Sequence, residues 1–392
     1  MKKKILLASN SSHYVYTAEK YLSNDMLGMY CASFLIDERK ISLFPGFYKY
    51  YLSSRAISPI LSPKVKNILW PEVLLKILNK VDFIPVSRRF LLQNKFFSIL
   101  TSRQILKIKP DIFHFVSGLG YESLIRNKNL KFVAICDQRA TYYKHEQEIS
   151  NEEQVLNNLG WSHPELDFFE RLEEEYRISD YIIVNSHYAK KSFVRHGFNE
   201  EKIVVIHLGV DIDIFYPLNI QKHKKFHVVF VGNIHPRKGL QYLLKACEFL
   251  YDKVELLLIG NIVDKSVITE GKNVKILGHM PKNKLNEVLN KCHVMVLPSI
   301  DDSFGLVGLE ALAAGLPLIS SSNCGVSELI EDSVDGYIVE PRDAMAISEK
   351  ILLLANDENQ RLEMSRAARK KAVKFSWEKY KLNLGKFIKK IK

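Results

Sequence analysis

The chain has no paired cysteines. Its five, Cys31, Cys136, Cys247, Cys292 and Cys324, are scattered, odd in number and form no CxxC. That excludes a zinc ribbon or a disulfide framework and makes a reducing cytoplasm the expected setting. No run approaches 18 apolar residues, so no membrane-spanning segment is expected. The opening MKKKILLASN joins a basic cluster to an apolar run too short for a secretory signal, and it reads as a first buried strand. No acidic metal triad stands out, so no metal is expected. Helix-turn-helix, RRM and zinc-finger patterns are also missing, which sets nucleic acid aside as a partner.

What is present suits two domains. A chain of 392 residues exceeds what one core usually supports, and 47% hydrophobic residues are enough to fill two. The net charge of +12 is unevenly placed. Residues 1–110 hold 18 Lys and Arg against 6 Asp and Glu, and residues 366–392 hold 11 against 1, so the middle is acidic. Two basic ends fit an anionic membrane surface or an acidic substrate. The run ISLFPGFYKYYLSSRAI at 41–57, which mixes Phe44, Phe47, Tyr48 and Tyr51 with Lys49 and Arg55, fits a membrane interface or a core edge equally. Residues 88–108 read as an amphipathic basic helix.

Along the chain, strands alternate with helices. Ile5–Ala8, Ile112–Val116, Lys131–Cys136 and Tyr181–Asn185 are strands in the first half. Gly118-Leu119-Gly120 approaches GxGxxG but lacks the third Gly, which weighs against dinucleotide binding there. LGVDIDIFYP and the polar QKHKK run, 221–225, mark a boundary, and Val228–Val231 opens the second half. That strand runs into GNIHPRKGLQYLLKA, a Gly-containing turn and helix that aim backbone donors and the cations Arg237 and Lys238 at a crevice. The expected layout is a first Rossmann-like domain at 1–217, a second at 218–375, and a basic helix at 376–392.

The most informative stretch is PSIDDSFGLVGLEALAAG, 298–315. Glu310 is the one charged residue between Ser303 and Ser320. A lone carboxylate in an apolar helix needs polar partners or a ligand bearing hydroxyls. Gly305 suggests that a loop turns into this helix, which brings Asp302 and Glu310 to one site beside the helix N-terminus.

DSFGLVGLE followed by ALAAGLPLIS resembles the paired-acid motif of glycosyltransferase family 4, a retaining group with the GT-B fold. LGVD, PRKG and LGHMP occur in the matching order. The resemblance implies two facing Rossmann-like domains, with the last helix crossing back to the first. It also implies donor contacts from Gly232, Asn233, Met280, Phe304, Gly305, Leu306 and Glu310, with Glu310 on the ribose. Lys238, Arg237, Asp302 and Asp137 become the candidate catalytic residues. Asp302 stands where Glu is usual, Asn233 where Arg is common, and Cys136 where His precedes the Asp. Arg139 and His145 are further acceptor-side candidates, and His13 lies in the first loop.

By the same resemblance, the expected activity is retaining transfer of a sugar from a UDP- or GDP-linked donor to a glycan or lipid-linked acceptor. It is expected without a metal, in the cytoplasm or at the inner membrane face. A nonhydrolysing sugar-nucleotide epimerase and a non-catalytic sugar-nucleotide-binding subunit are the alternatives.

Overall fold

The structure, a computed structural model, describes residues 3–10, 15–23, 25–53, 55–79, 84–161, 166–268 and 273–391. His13 lies outside the described residues, as do the side chains of Phe47 and Tyr51. The first half carries the strands β1 (Ile5–Ser9), β2 (Leu27–Ala32), β3 (Ile36–Asp37), β4 (Ala56–Ile57), β5 (Val65–Asn67) and β6 (Ile112–Val116). It is completed by β7 (Val133–Asp137), β8 (Tyr181–Val184) and β9 (Ile203–Val205). The second half carries β10 (Phe226–Val231), β11 (Val254–Ile259), β12 (Val274–Gly278), β13 (Val294–Leu297), β14 (Leu318–Ser321) and β15 (Gly336–Val339).

Two parallel sheets result. One runs β5-β2-β1-β6-β7-β8-β9 and the other β12-β11-β10-β13-β14-β15, while β3 and β4 pair separately. Both follow the doubly wound order in which the chain reverses direction beside its first strand, and a crevice opens at the strand C-terminal ends there. Helices cover both faces, so strands such as ILLAS and FHVVFV read as continuous apolar runs and are almost wholly buried. The reversal points lie between β1 and β6 and between β10 and β13.

The chain crosses between the halves twice, and the crossings touch. The Val210 amide donates to the Phe375 carbonyl at 2.9 Å. A Cβ on Gly209 would meet Ser376 and Trp377 backbone atoms at 2.5–2.6 Å, so only glycine allows the approach. Ser376 then caps the last helix, Trp377–Lys390. That helix packs on the first half through Tyr380 with Thr17 (3.2 Å), Lys381 with Glu19 (3.5 Å) and the rings of Phe387 and Tyr181.

The helix Val86–Ile108 forms, but it buries Phe97, Thr101 and Ile105 and leaves Phe90, Leu92, Phe96 and Leu106 on the outside. Its inner face is chosen by packing against its neighbours, and the small and polar residues win that contact.

Replacing Gly209 with Ala should therefore push the two crossings apart and lower stability by about 1–3 kcal/mol, the usual cost of overpacking. Thermal or denaturant unfolding measures the loss.

Candidate functional site

In the second half, the turn after β10 and the loop after β13 meet at the reversal point. Gly232 follows β10 at φ 153, and Asn233 beside it is exposed. Pro236 and the His235 side chain, which accepts the Arg237 amide at 3.2 Å, start the short turn Pro236–Lys238. Gly239 ends it at φ 67, and a Cβ there would lie 1.9 Å from the Pro298 carbonyl oxygen. The Ile300 amide donates to the Arg237 carbonyl at 3.0 Å. Backbone contact thus holds the basic turn against the acidic loop.

Charge pairing completes the join. Lys238 Nζ donates to Asp302 Oδ2 at 2.6 Å. Asp302 Oδ1 accepts the amides of Gly305 at 3.1 Å and Phe304 at 3.4 Å, closing a turn onto the helix Leu306–Ala313. Burial opposes ionisation of Asp302, but Lys238, Arg237 and these amides outweigh it and hold the carboxyl below its ordinary value. Gly305 has φ 73, and a Cβ would come within 2.5 Å of Cys324 Sγ. Phe304 is 2% exposed and turned into the core, so its backbone is what it can offer a ligand. Leu306 is half-buried at the first turn of the helix.

Glu310 lies one turn further along. It is 5% exposed, and its nearest cation is Lys282 Nζ at 3.6 Å. Burial, only partly offset by Lys282, pushes its pKa up to about 7. Met280 is half-buried against the same core, two residues before Lys282. The two acids of the motif are therefore driven in opposite directions, as happens where carboxylates have different tasks.

The first half places its candidates differently. Asp137 ends β7 and is 2% exposed, with His114 Nε2 at 3.4 Å and Arg139 Nε at 3.5 Å. Tyr21 bonds the other nitrogen of His114, so Asp137 belongs to an internal polar network rather than to an open surface. Cys136, at the position where the family carries His, is fully buried, its thiol facing Glu175. Burial lowers the pKa of His145 and so favours the neutral ring, whose Nε2 lies 3.1 Å from the Tyr188 hydroxyl. The Gly118-x-Gly120 turn is already filled. The buried Glu175 carboxylate accepts the amides of Gly118, Gly120 and Tyr121 at 2.6–2.8 Å, where a ligand phosphate would otherwise sit.

Several residues at the junction carried no sequence signal of their own. Glu146 lies 3.3 Å from Arg237. The buried Glu153 accepts from Tyr242, Gln241 and Arg342 of the second half. Asp301, fully buried, is bonded by Thr141 and Tyr188. An acidic residue in a helix or loop reads as surface until its distant partner is known.

Two family models match adjacent stretches, one described as glycosyltransferase family 4 over residues 60–214 and one as glycosyl transferases group 1 over 216–371. The amylovoran biosynthesis glycosyltransferase AmsK of Erwinia amylovora is 25% identical over 274 residues, 66% of this chain and 65% of that protein. The chain spans about half the length of most curated relatives it matches. Among solved structures, sucrose-phosphate synthase from Thermosynechococcus elongatus superposes with a TM-score of 0.71 at 18% identity, covering 99% of both chains. Anabaena HepE in complex with UDP-glucose does so at 0.67 and 15%, covering 99% of this chain and 100% of that one. These likenesses identify the fold as GT-B, as the sequence motifs implied. Together the two family models span the chain from residue 60 to 371, and it belongs to glycosyltransferase family 4.

Proposed function

We propose that the chain is a retaining glycosyltransferase that moves a sugar from a UDP- or GDP-linked donor to a glycan or lipid-linked acceptor in bacterial surface polysaccharide or glycolipid synthesis. The observation that carries this reading is the Lys238–Asp302 pair at the reversal point of the second sheet, with Glu310 buried one turn into the helix that follows the Asp302 loop. As the bond from the sugar's anomeric carbon to the diphosphate breaks, negative charge grows on the departing oxygen. Lys238 neutralises it, and Arg237 adds its charge at the same turn. Asp302 faces the sugar, while Glu310 accepts hydrogen bonds from ribose hydroxyls. Gly232, Asn233 and the amides around Gly305 line the path of the diphosphate, and Met280 meets the base. Asp137 acts from below the acceptor side by holding Arg139 in place. HepE, whose structure holds UDP-glucose, supports a sugar-nucleotide donor, and AmsK, named for amylovoran biosynthesis, supports a glycan product.

Replacing Lys238 with Ala should lower kcat by about 10²–10³ and leave the protein folded. Nucleoside diphosphate should be released only when acceptor is present, with or without EDTA. Release without acceptor, or a requirement for added Mg²⁺, would point instead to an epimerase-like or metal-assisted reaction.

Glu310 yields a paired expectation. An acid whose folded pKa is raised contributes stability at pH below its ordinary value and loses it as pH rises through about 7. Glu310→Gln should therefore unfold less readily than the parent at pH 8, by about 3 kcal/mol, with the difference gone near pH 4. The same change should weaken UDP binding by roughly 1–3 kcal/mol and abolish its rise with pH through 7. Calorimetry across pH 4 to 8 reads both effects.

Peripheral association with anionic membranes completes the proposal. Leu43, Ile60, Trp70 and Val86 in the basic first half are each more than 60% exposed, and the basic C-terminal helix packs on that half. Among the described residues, no helix is long and apolar enough to cross a membrane. Cosedimentation with liposomes should need anionic lipid, since each cation near the surface contributes about 1 kcal/mol. It should fall as NaCl rises and weaken on Trp70→Ser with Phe90→Ser. Equal binding to neutral vesicles would remove the electrostatic part.

A further inference from the structure

We propose that Asp301 is a positioning residue through which closure of the two halves sets the geometry of Asp302. The inference rests on the transferase reading given above for its consequence, although its structural basis is independent of it. Asp301 is 0% exposed. Burying a carboxylate is costly unless donors surround it. Its hydrogen-bond donors come from the opposite half: Thr141 Oγ1 reaches Oδ2 at 2.9 Å and the Tyr188 hydroxyl reaches Oδ1 at 3.0 Å. Arg237 Nη1 lies 3.6 Å from Oδ2, and that same nitrogen is 3.3 Å from Glu146, again in the first half.

The next-but-one residue docks in the same way. Ser303 Oγ donates to the Arg139 carbonyl at 2.7 Å, and Ser186 Oγ donates to the Ser303 carbonyl. A Cβ on Gly325 would lie 2.3 Å from that Ser303 carbonyl and 2.6 Å from Ser186 Cβ, so the packing around it is close. Asp302 is thus bracketed on both sides by bonds to the first half, while its own carboxylate turns the other way, to Lys238 and the amides of Phe304 and Gly305. Three consecutive residues cannot move independently when the outer two are fixed. The placing of Asp302, and with it the Lys238 ammonium, follows from whether the halves are closed.

Separation of the halves removes both hydroxyl donors from Asp301 together and releases the loop. Closure restores them and assembles the sugar-facing acid, so that chemistry waits for a closed cleft. The Tyr188 hydroxyl is oriented for this by His145 Nε2 at 3.1 Å, and the start of its helix is held by Glu328 of the second half, which accepts the His187 and Tyr188 amides.

The test is the full chain carrying Thr141→Val together with Tyr188→Phe, with Thr141→Val alone as a milder variant and Thr141→Ser as the hydroxyl-retaining control. In the absence of ligand, amide hydrogen exchange over Ile300–Gly305 should quicken about tenfold or more in the double variant, with the amides of β10 and β11 unchanged and Thr141→Ser like the parent. Transfer should lose about tenfold or more in kcat, while UDP affinity by calorimetry stays within about twofold of the parent. Unchanged exchange in the loop, or unchanged kcat in an active enzyme, overturns the inference. So does an equal loss of UDP affinity, which marks general damage to the second half. A parent chain that transfers no sugar defeats the transferase reading instead, and the loop's exchange then still decides whether Asp301 couples closure to the site.

Discussion

The Pro298 carbonyl occupies the space that a side chain on residue 239 would need, and the rest of the site depends on that approach. Gly239 lets the turn after β10 lie directly on the loop after β13. The Ile300 amide fastens the two, and Lys238 comes within a hydrogen bond of Asp302. A cation and an acid from loops more than sixty residues apart are thereby brought into one hydrogen bond. Among the described residues Lys238 pairs with Asp302 alone, whereas Arg237 is divided between Glu146 and Asp301. One of the two cations pairs within its own half and the other ties the turn to the opposite half.

Much of this was legible in the sequence because it is local. Apolar runs such as FHVVFV can only be strands covered on both faces, and the order of strands and helices implies the doubly wound sheets. Ser186 stands between a strand and a helix, where a serine suits an N-cap, and it accepts the Ala189 amide. The lone Glu310 in an apolar helix announced a special environment, and its raised pKa reflects one. What could not be read is the choice of distant partners. Asp301 and Asp302 are adjacent and chemically identical, yet one is held by residues about 160 and 113 positions away and the other by Lys238. Asp137 resembled a residue at an open strand end, but His114, an unremarkable mid-strand residue, draws it into the interior. The outward turn of Phe90 and Phe96 follows from which face of their helix its neighbours accept, and composition does not encode that.

The two halves share a strand order but not a use of it. In the second, the turn after the first strand is cationic, with Arg237 and Lys238 paired to acids of other segments. In the first, the glycine turn after β6 holds the carboxylate of Glu175, braced by Arg171, which bonds the Gly118 carbonyl and pairs with Glu122. A protein side chain has taken the place that the topology reserves for an anion. The first crevice turn is closed on an acid that three of its amides share, whereas the cations of the second are spread over Asp302, Asp301 and Glu146.

The touching crossings at Val210 and Phe375 bear on how such a cleft opens. Two chain segments in close contact over so short a stretch act as a pin: they resist sliding and separation but yield to rotation about the line through their contact. The halves have in effect one soft coordinate. Travel along it carries every bond across the cleft, from Glu153 at one side to Glu328 at the other, through the same sequence of lengthening, so that the junction is expected to part as a unit rather than to fray residue by residue.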